Sequence, residues 1–472
     1  MIMRLTTLTL ATCFASLTAF AAAKRPGSVD LSFECADLGG DQIELTYHSL
    51  IKVADIAVLP DGRIYIGGHL RAVGEHPSDA VARLLPDGSV DPSFQIQSEK
   101  CATLYCDTHR IAVQPDGKVL AGFHSLKRFL PDGSLDPEFK AFAGMVVGLR
   151  RNGNILAVRL DDGSLVELLP TGAPNPDFRS TVKLGGRWGV ANLIGDQLYA
   201  PIEIGDREAR VIRVNASGAT DASFRSPSLS DGVQDGSMAV VRAIQVDAER
   251  RVLVAGVFDS LRTSAGQTVR RRHLVRLLED GTLDQGFNPA PVFGDGVDYY
   301  QNSIWGMALQ PDGRILVGGV FTGTGSIART GIVRLQIDGS LDSTFDAGLG
   351  VQGDCLTPPC SNVKRIALQP DDQILISGSF HSVDGIARDW IARLNGDGSA
   401  LRFQKLLPQP DRSMHFNVSG PSDAKFVLEA ASRLSPPNWQ PLSTNTITTN
   451  PLTVTDPDAA EFPQRFYRAV SR

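Results

Sequence analysis

Two nearly identical acidic segments have residue types that bind calcium in other proteins. LPDGSVDPSF spans residues 85–94, LPDGSLDPEF spans residues 130–139, and weaker copies follow. Each contains a turn aspartate beside a glycine and a second aspartate four residues later, such as Asp132 and Asp136. A calcium loop needs several converging oxygens, usually in D-x-D-x-D-G spacing closed by a distant glutamate. Because no third carboxylate lies between the two aspartates, we interpret the segments as structural joints and predict no metal or cofactor.

The second aspartate of each segment has a charged partner eight residues earlier. Folding VARLLPDGSVDPSF into a hairpin places Arg83 opposite Asp91, and such pairs stabilise a sheet by about 0.2–1 kcal/mol. The same spacing recurs in Arg128–Asp136, Arg213–Asp221, Arg276–Asp284 and Arg334–Asp342. In one copy Glu167 and Asn175 replace both members together, which favours direct contact between the two positions.

The N-terminus predicts export. Arg4 precedes an apolar stretch that ends in small residues, so residues 1–23 are typical of a secretory signal peptide. A membrane anchor is the weaker alternative, because the stretch is rich in threonine and marginal in length. We find no other segment that spans a bilayer.

The cysteines predict disulfides. An exported chain favours disulfides over metal thiolates. Two pairs, Cys101 with Cys106 and Cys355 with Cys360, each enclose four residues, so we predict these two local bridges and leave Cys35 unpaired. A zinc site is the alternative, but no histidine lies at convincing ligand spacing near either pair.

The acidic segments divide the chain into seven units of 39 to 63 residues. Each copy ends at a phenylalanine: Phe33, Phe94, Phe139, Phe178, Phe224, Phe287, Phe345 and Phe403. Each unit contains four short extended pieces, A to D, such as IAVQ, KVLAGF, IARL and SLDPEF. Pro-Asp-Gly joins A to B and C to D, which is typical of a three-residue hairpin with glycine in the left-handed conformation.

Four antiparallel strands repeated radially predict an all-β fold, a seven-bladed β-propeller with four-stranded blades. A stacked β-solenoid is the alternative. The units resemble the delta-60 repeat family of secreted bacterial proteins, whose units carry QPDGKILVGG…RLNPDGSLDxSF. MALQPDGRILVGGVF, from Met307, is a close match, and the resemblance covers residues 28–403. It implies a β-propeller and no particular activity. Units three and four depart from the pattern.

The last unit lacks its own aspartate. Arg393 is followed eight residues later by Leu401, whereas the N-terminal PGSVDLSF contains Asp30. We predict that residues 28–33 fill the outer strand of the last blade and pair Asp30 with Arg393, which protects the free edges of the ring. The alternative is that residues 399–403 form this strand.

We predict a propeller over residues 24–408 and a small β-sandwich-like module over residues 409–472. The second segment resembles a β-rich C-terminal module of many exported proteins of environmental bacteria, through LEA…NW.PL and TDPDA..FP.RFYR. Trp439 and Tyr467 are either ligand aromatics or core residues.

Strand alternation places the A–B and C–D turns on one face, which we call the joint face. The B–C and D–A connections lie on the opposite face, the loop face, and they differ widely between units. A rigid scaffold that presents variable loops is typical of a binding surface. The candidate ligand residues there are Tyr299, Tyr300, Trp305, Trp390, Arg270, Arg271 and Arg272. Blade packing is the alternative for the tryptophans, and a solvated loop is the alternative for the arginines.

Together these features predict a monomeric, secreted or cell-surface binding scaffold for an extracellular glycan, peptide or protein. The net charge of -6 gives no reason to expect nucleic acid. A hydrolase or lyase acting on an extracellular carbohydrate or lactone at the central opening is the alternative. The eight histidines show no H-x-H or H-E-x-x-H spacing and there is no G-x-S-x-G elbow, so motifs do not favour it.

Overall fold

The structure is a computed structural model. It describes residues 25–35, 53–68, 70, 72–73, 76–77, 81–96, 110–122, 125–184, 190–204, 207–230, 239–289, 303–321, 330–353, 362–397, 402–409, 411, 413–419, 425–433, 438–449, 451–462 and 465–471. Residues 1–23, Cys101, Cys106, Cys355, Cys360, Tyr299 and Tyr300 lie outside these ranges. Within them, no helix has the length and apolar composition needed to cross a membrane.

Strands are numbered in chain order, and most belong to a repeated group of three antiparallel strands. The first strands of the groups are β1 Asp55–Val58, β6 Ile111–Val113, β9 Gly144–Leu149, β12 Asn192–Ile194, β16 Val240–Val246, β21 Ser303–Leu309 and β25 Asn362–Leu368. The second strands are β2 Ile64–Gly67, β7 Val119–Ala121, β10 Ile155–Arg159, β13 Gln197–Ile204, β17 Val252–Val257, β22 Ile315–Val320 and β26 Ile374–Ser379. The third strands are β5 Val81–Leu84, β8 Lys127–Phe129, β11 Leu165–Leu168, β14 Glu208–Val214, β20 Leu274–Leu277, β23 Ile332–Leu335 and β29 Ile391–Leu394. In each group the second strand pairs with both others.

The first strands form a closed ring of contacts. Each one lies against the first strand of the next group, and β25 lies against β1. The apolar core fills the spaces between neighbouring groups. For example, Leu253 of β17 and Val317 of β22 belong to one buried cluster. The second strands are buried along most of their length, because both of their faces meet a neighbouring group.

The fourth extended piece of each unit is shorter than predicted. It makes one antiparallel bridge to the third strand, such as Leu84 with Val90, and no strand of its own. Asp91 ends the extended conformation, because its Oδ1 accepts hydrogen bonds from the Ser93 amide at 2.9 Å and hydroxyl at 2.7 Å. The Phe94 amide then donates to the Asp91 carbonyl. Such side-chain to backbone bonds compete with a continuing ladder.

The N-terminal segment lies beside the last third strand. Val29 forms an antiparallel bridge with Leu394, and the amide of Asp30 donates to the carbonyl of Arg393 at 2.8 Å. The other predicted candidate for this place, residues 399–403, is described only from residue 402 onward, and β30, Arg402–Pro408, pairs with β31, Met414–Ser419. Phe403 therefore lies in the sheet of the C-terminal segment, on the N-terminal side of the boundary predicted at Pro408.

Further short strands lie in the connections between the repeated strands, and three of them extend the sheet of one group. They are β3 Ala72–Val73, β4 His76–Pro77, β15 Ser228–Ser230, β18 Ser260–Arg262, β19 Thr268–Arg270, β24 Val351–Gln352, β27 Ser382–Val383 and β28 Ile386–Ala387. The hairpin β18–β19 pairs with β15, which pairs with β14, and this creates the six-stranded sheet β12-β13-β14-β15-β18-β19. The hairpin β27–β28 pairs with β24 in a separate sheet.

The C-terminal segment forms two three-stranded antiparallel sheets, β30-β31-β34 and β33-β32-β35. The remaining elements are β32 Lys425–Ala431, β33 Gln440–Thr446, β34 Leu452–Asp456, a 3-10 turn at Ala459–Glu461, and β35 Phe466–Ser471. Buried side chains from both sheets, including Phe416 and Phe426, share one cluster. The buried Asp456 accepts hydrogen bonds from Arg465 and from the hydroxyl of Tyr467, which explains the spacing of these residues in TDPDA..FP.RFYR.

Candidate functional site

The repeated arginine and aspartate lie together on the joint face. Arginine Nε and aspartate Oδ2 are 2.7 Å apart in Arg83–Asp91, 2.9 Å in Arg128–Asp136, 2.8 Å in Arg213–Asp221, 2.8 Å in Arg276–Asp284, 2.7 Å in Arg334–Asp342 and 2.9 Å in Arg393–Asp30. Burial opposes ionisation of Asp91, but hydrogen bonds from Ser93 and Arg83 outweigh it and lower the pKa of this carboxyl. The aspartate oxygens are therefore occupied by donors of the protein itself.

Each of these arginines also bridges to the next unit. Arg83 Nη1 donates to the carbonyl of Pro131 at 2.8 Å, and Arg213 Nη1 donates to the carbonyl of Glu279 at 2.8 Å. Arg393 donates to the carbonyl of Pro86, which joins the last unit to the first. Five of the six guanidinium groups thus tie consecutive sheets through a backbone carbonyl of the next C–D turn, whereas Arg334 binds the carboxylate of Asp397 in the next turn.

The closing phenylalanine of each unit completes the joint. The centre of the Arg83 guanidinium lies 5.0 Å from the ring centroid of Phe94, and that of Arg393 lies 4.9 Å from the ring of Phe33. The turn glycine of the next unit packs against the same ring. A Cβ added to Gly88, whose φ is +95°, would lie 2.9 Å from Phe33. Glycine is therefore required here both by its backbone conformation and by the close approach of the preceding unit.

The third unit keeps the ion pair but exchanges its partners. Glu167 occupies the arginine position, and Arg150, from the A–B turn, forms an ion pair with it and lies over the ring of Phe178 at 5.6 Å. Asn154 and Asn175 each donate to Glu167 Oε1 at 2.7 Å. The third unit therefore keeps a positive charge at the joint but carries it on Arg150. Comparison of the arginine and aspartate positions between units did not reveal this.

The three candidate arginines of the loop face lie at the end of the β18–β19 hairpin. Arg270 Nε and Arg272 Nε lie 3.3 Å and 2.8 Å from Asp259 Oδ1, and Arg271 donates to the carbonyl of Arg270. Burial opposes ionisation of Asp259, but the two arginines outweigh it and lower the pKa of its carboxyl. Two of the three arginines are thus partly neutralised within their own loop.

The two candidate tryptophans differ in their surroundings. Trp390 is half-buried, packs against the apolar cluster between the last and first groups, and has its ring 5.3 Å from that of His381. Trp305 is half-buried on β21, and its Nε1 donates to Ser303 Oγ at 2.7 Å. The guanidinium of Arg242, on β16, lies 4.1 Å from the Trp305 ring centroid. Trp305 therefore forms a cation–π contact between two first strands.

Arg242, Trp305 and Lys364 occupy equivalent β-bulges on three successive first strands. The register shifts between Val241 and Ala243, between Ile304 and Gly306, and between Val363 and Arg365. A bulge leaves one residue out of the ladder and redirects its side chain, and bulges are common beside functional sites. The three strands thus present two cations and an aromatic ring at the same level near the loop face.

Glycines opposite the bulges make this irregularity possible. A Cβ on Gly256, Gly319 or Gly378 would lie 2.0–2.1 Å from a carbonyl oxygen of the bulged strand. The glycine two residues before the phenylalanine in AGVF, GGVF and SGSF is therefore the sequence pattern that accompanies the bulges.

A charged group lies next to the bulges at the ends of the first strands. Arg365 Nε donates to Asp55 Oδ1 at 3.1 Å, and Asp55 Oδ2 accepts from the Ile111 amide at 2.8 Å. Arg110 donates to the carbonyl of Ala191, two groups further around the ring, so its side chain crosses the central opening. Burial lowers the pKa of Arg110 from its usual value, Asp55 opposes this change, and Arg365 adds to it.

The central group combines three arginines and a lysine with one carboxylate: Arg110, Arg242, Lys364, Arg365 and Asp55. Arg110 Nε is buried and has no hydrogen-bond partner among the described residues. Because a buried unpaired donor is unfavourable, an acceptor supplied by a ligand or water would stabilise this site. Sequence inspection missed the group, since these residues come from different units and match no motif. Within the described ranges, no three His, Cys, Asp or Glu side chains are arranged to bind a metal.

Comparison with known proteins agrees with a propeller. Residues 59–94, 114–139, 250–287, 310–345 and 369–400 match the family model described as "Domain of unknown function (DUF5122) beta-propeller". These segments leave out residues 140–249, where units three and four depart from the repeat. No curated protein matches the sequence.

Several solved structures show a distant similarity. Virginiamycin B lyase from Staphylococcus aureus is 11% identical, with 74% of this chain and 96% of that chain covered and a TM-score of 0.43. A gluconolactonase from Xanthomonas campestris is 12% identical, with 60% and 85% covered and a TM-score of 0.32. Neither similarity carries an argument about activity. Five segments of the chain are therefore similar to DUF5122 repeats, and the repeated part of the chain has a β-propeller fold.

Proposed function

We propose that this protein is an exported binding scaffold that holds an acidic extracellular ligand at the central opening of its loop face. The scaffold is a seven-bladed propeller, with residues 28–33 closing the last blade and a C-terminal β module attached. The closed ring of first strands and the contacts of Asp30 with Arg393 support this architecture. The signal peptide predicted over residues 1–23 supports export.

The row of bulges is the observation that carries the proposal. Arg242, Trp305 and Lys364 are displaced from the ladder at one level, beside Arg110 and Arg365. Among the described residues, this group holds four cations and one carboxylate, and a concave, partly desolvated site strengthens the attraction of an anion. An aromatic ring beside the cations suits the flat face of a sugar ring or a peptide group. The ligand class is therefore a glycan, peptide or protein segment with an acidic group.

A glycan and peptide array probed with the chain lacking residues 1–23 tests this proposal. We expect the wild type to retain acidic ligands, and Trp305→Ala or Arg242→Gln to weaken at least tenfold the binding of those that are held at the central opening. Trp305→Phe keeps an aromatic ring and should retain part of the affinity.

Arg250→Gln is the matched control, because Arg250 lies in an A–B turn on the joint face and forms an exposed ion pair with Glu279. This variant should bind as the wild type does. Wild-type binding of every acidic ligand by Trp305→Ala, or a preference for neutral or basic ligands, would contradict the proposal.

A further inference from the structure

A second cleft lies on the outer side of the ring, away from the central opening. It has a volume of about 480 Å³ and is bounded by β14, by the segment between β14 and β15, and by the β18–β19 hairpin. This is within the range of roughly 300–1,000 Å³ that is typical of small-molecule sites. The cleft exists because the hairpin of one unit joins the sheet of the preceding unit through β15.

Three exposed arginines line this cleft: Arg210 of β14, Arg225 before β15 and Arg262 of β18. Among the described residues, none of their guanidinium groups is in a hydrogen bond or an ion pair. The one carboxylate of the lining, Asp221, already binds Arg213 and Ser223. Its hydrogen bonds, chiefly from Ser223, lower its pKa, so it stays ionised and engaged. The cleft therefore has an excess of positive charge that no described residue neutralises.

The walls of the cleft are held in place. Leu229 of β15 and Leu261 of β18 face each other across the pair and are buried in the core. The amide of Arg225 donates to the carbonyl of Asp280 in the next C–D turn at 2.7 Å. Ser226 Oγ donates to the carbonyl of Val211 at 2.6 Å. The backbones that carry the arginines are thus fixed before any ligand binds, which lowers the entropic cost of binding.

The remaining lining combines hydroxyl groups with a small apolar floor. The hydroxyl-bearing residues are Thr220, Ser226, Ser228, Thr263 and Ser264, and Val211 and Phe224 contribute buried apolar surface. Arginine forks match the two oxygens of a carboxylate or sulfate, and hydroxyl groups exchange hydrogen bonds with hydroxyl groups of a ligand.

We propose that this cleft binds an acidic oligosaccharide, a chain of sugars carrying carboxylate or sulfate groups. Three separated guanidinium groups suit acidic groups repeated along a chain, and the hydroxyl-rich walls suit the sugar framework. The site is independent of the central opening. It shares no residue with the group formed by Arg110, Arg242, Lys364 and Arg365.

Isothermal titration of the chain lacking residues 1–23 tests the proposal. The probes are a hexamer of galacturonic acid, a sulfated hexasaccharide and a neutral hexamer of galactose. We expect one of the acidic probes to bind, and the neutral probe to bind at least tenfold more weakly. Arg210→Gln, Arg225→Gln and Arg262→Gln should each weaken acidic binding about tenfold, because each removes one charge-assisted contact. Added salt should weaken binding as well.

Two variants separate this site from others. Arg250→Gln, on the joint face, should leave the affinity unchanged, and so should Trp305→Ala at the central opening. Loss of acidic binding in Trp305→Ala with unchanged binding in Arg262→Gln would assign the ligand to the central site and overturn the proposal. Equal binding of the neutral probe, or binding only of a phosphopeptide or RNA added as a further probe, would overturn it too. Unchanged thermal unfolding of the three glutamine variants shows that any loss is local.

Discussion

The joint face and the outer cleft use charged residues in opposite ways. On the joint face, arginine is buried, bound to an aspartate, stacked on a phenylalanine and bonded to the next unit; Arg334 has a fully buried side chain and contacts both Asp342 and Asp397. In the outer cleft, Arg210, Arg225 and Arg262 are exposed, and among the described residues they have no ion pair. The first arrangement stabilises the ring. The second leaves charge available for a partner. Repetition of a contact therefore indicates architecture, and departure from repetition indicates where we propose that a ligand binds.

The largest expected effect concerns the closure of the ring. Arg393→Ala and Asp30→Ala each leave a buried charge without its partner, so each should lower the free energy of unfolding by about 3–5 kcal/mol. The double variant should lose less free energy of unfolding than the two single variants lose together. The difference, which is the coupling free energy of the pair, should be about 0.5–3 kcal/mol. Urea unfolding measures these values. Arg250→Ala, from an exposed pair, should cost no more than about 1 kcal/mol. Additive effects of the two closure variants would contradict a direct contact.

The exchanged ion pair of the third unit offers a test by reversal. Glu167→Arg places two arginines together, and Arg150→Glu places two carboxylates together, so each single variant should cost about 3–5 kcal/mol. The variant with both substitutions restores opposite charges, and we expect it to recover at least half of the loss in urea unfolding. If the double variant is no more stable than the less stable single variant, opposite charges alone do not restore the contact. The position of each charge would then determine stability.

The bulges of the loop face depend on the glycines opposite them. Gly256→Ala places a Cβ 2.0 Å from the Val240 carbonyl oxygen, so the bulge must shift, at a cost of about 1–3 kcal/mol. Gly266→Ala is the matched control in the β18–β19 hairpin. It has a φ of +79° but no neighbour within 4 Å, and should cost about 1 kcal/mol. Thermal unfolding compares the two. An equal cost would mean that the close approach at Gly256 is unimportant.

The joint face and the loop face should also differ in how they contribute to the pH dependence of stability. The joint aspartates have lowered pKa values, so their stabilisation is present above the unfolded pKa of about 4 and is lost as the pH falls below it. His273, before β20 near the loop face, has its pKa lowered by burial. The unfolded chain therefore binds its proton first, and stability should fall as the pH drops below about 6.5, with a slope of at most about 1.4 kcal/mol per pH unit.

His273→Gln should remove the loss of stability that begins below about pH 6.5 and should keep the loss of stability below about pH 4. Urea unfolding from pH 3 to pH 8 measures both. A wild-type curve that is flat between pH 5 and pH 7 would contradict the assignment to His273.

Much of the fold was predictable, because local chemistry repeats along the chain. The Pro-Asp-Gly turns, the arginine and aspartate eight residues apart and the closing phenylalanine predicted hairpins arranged as a propeller, and the family match supports the propeller. The predicted length of the fourth extended piece of each unit was wrong. The prediction counted SLDPEF as a strand, whereas the aspartate side chain hydrogen-bonds two residues ahead and ends the extended conformation after one bridge.

The candidate sites were less predictable, since they depend on which units become neighbours. Arg270 and Arg272 were predicted as ligand residues because they belong to a run of three arginines, yet Asp259 binds both. Arg262 stands alone in the sequence and lies in the cleft because β18 pairs with β15. Arg110 and Asp55 sit one residue before an unremarkable apolar piece in two different units. They become part of the central group only because the ring closes, which brings Arg365 into contact with Asp55 across more than 300 residues of chain.

The sequence by itself determined the repeating hairpins and the residues of the joint, because turns and cross-strand pairs at a fixed spacing are local properties of the chain. It also determined that the N-terminal segment contains the aspartate that the last unit lacks. Only the tertiary structure decided which charges remain without a partner, which first strands bulge side by side, and that a hairpin of one unit extends the sheet of another. These features depend on contacts between units, and a linear spacing does not record contacts of that kind.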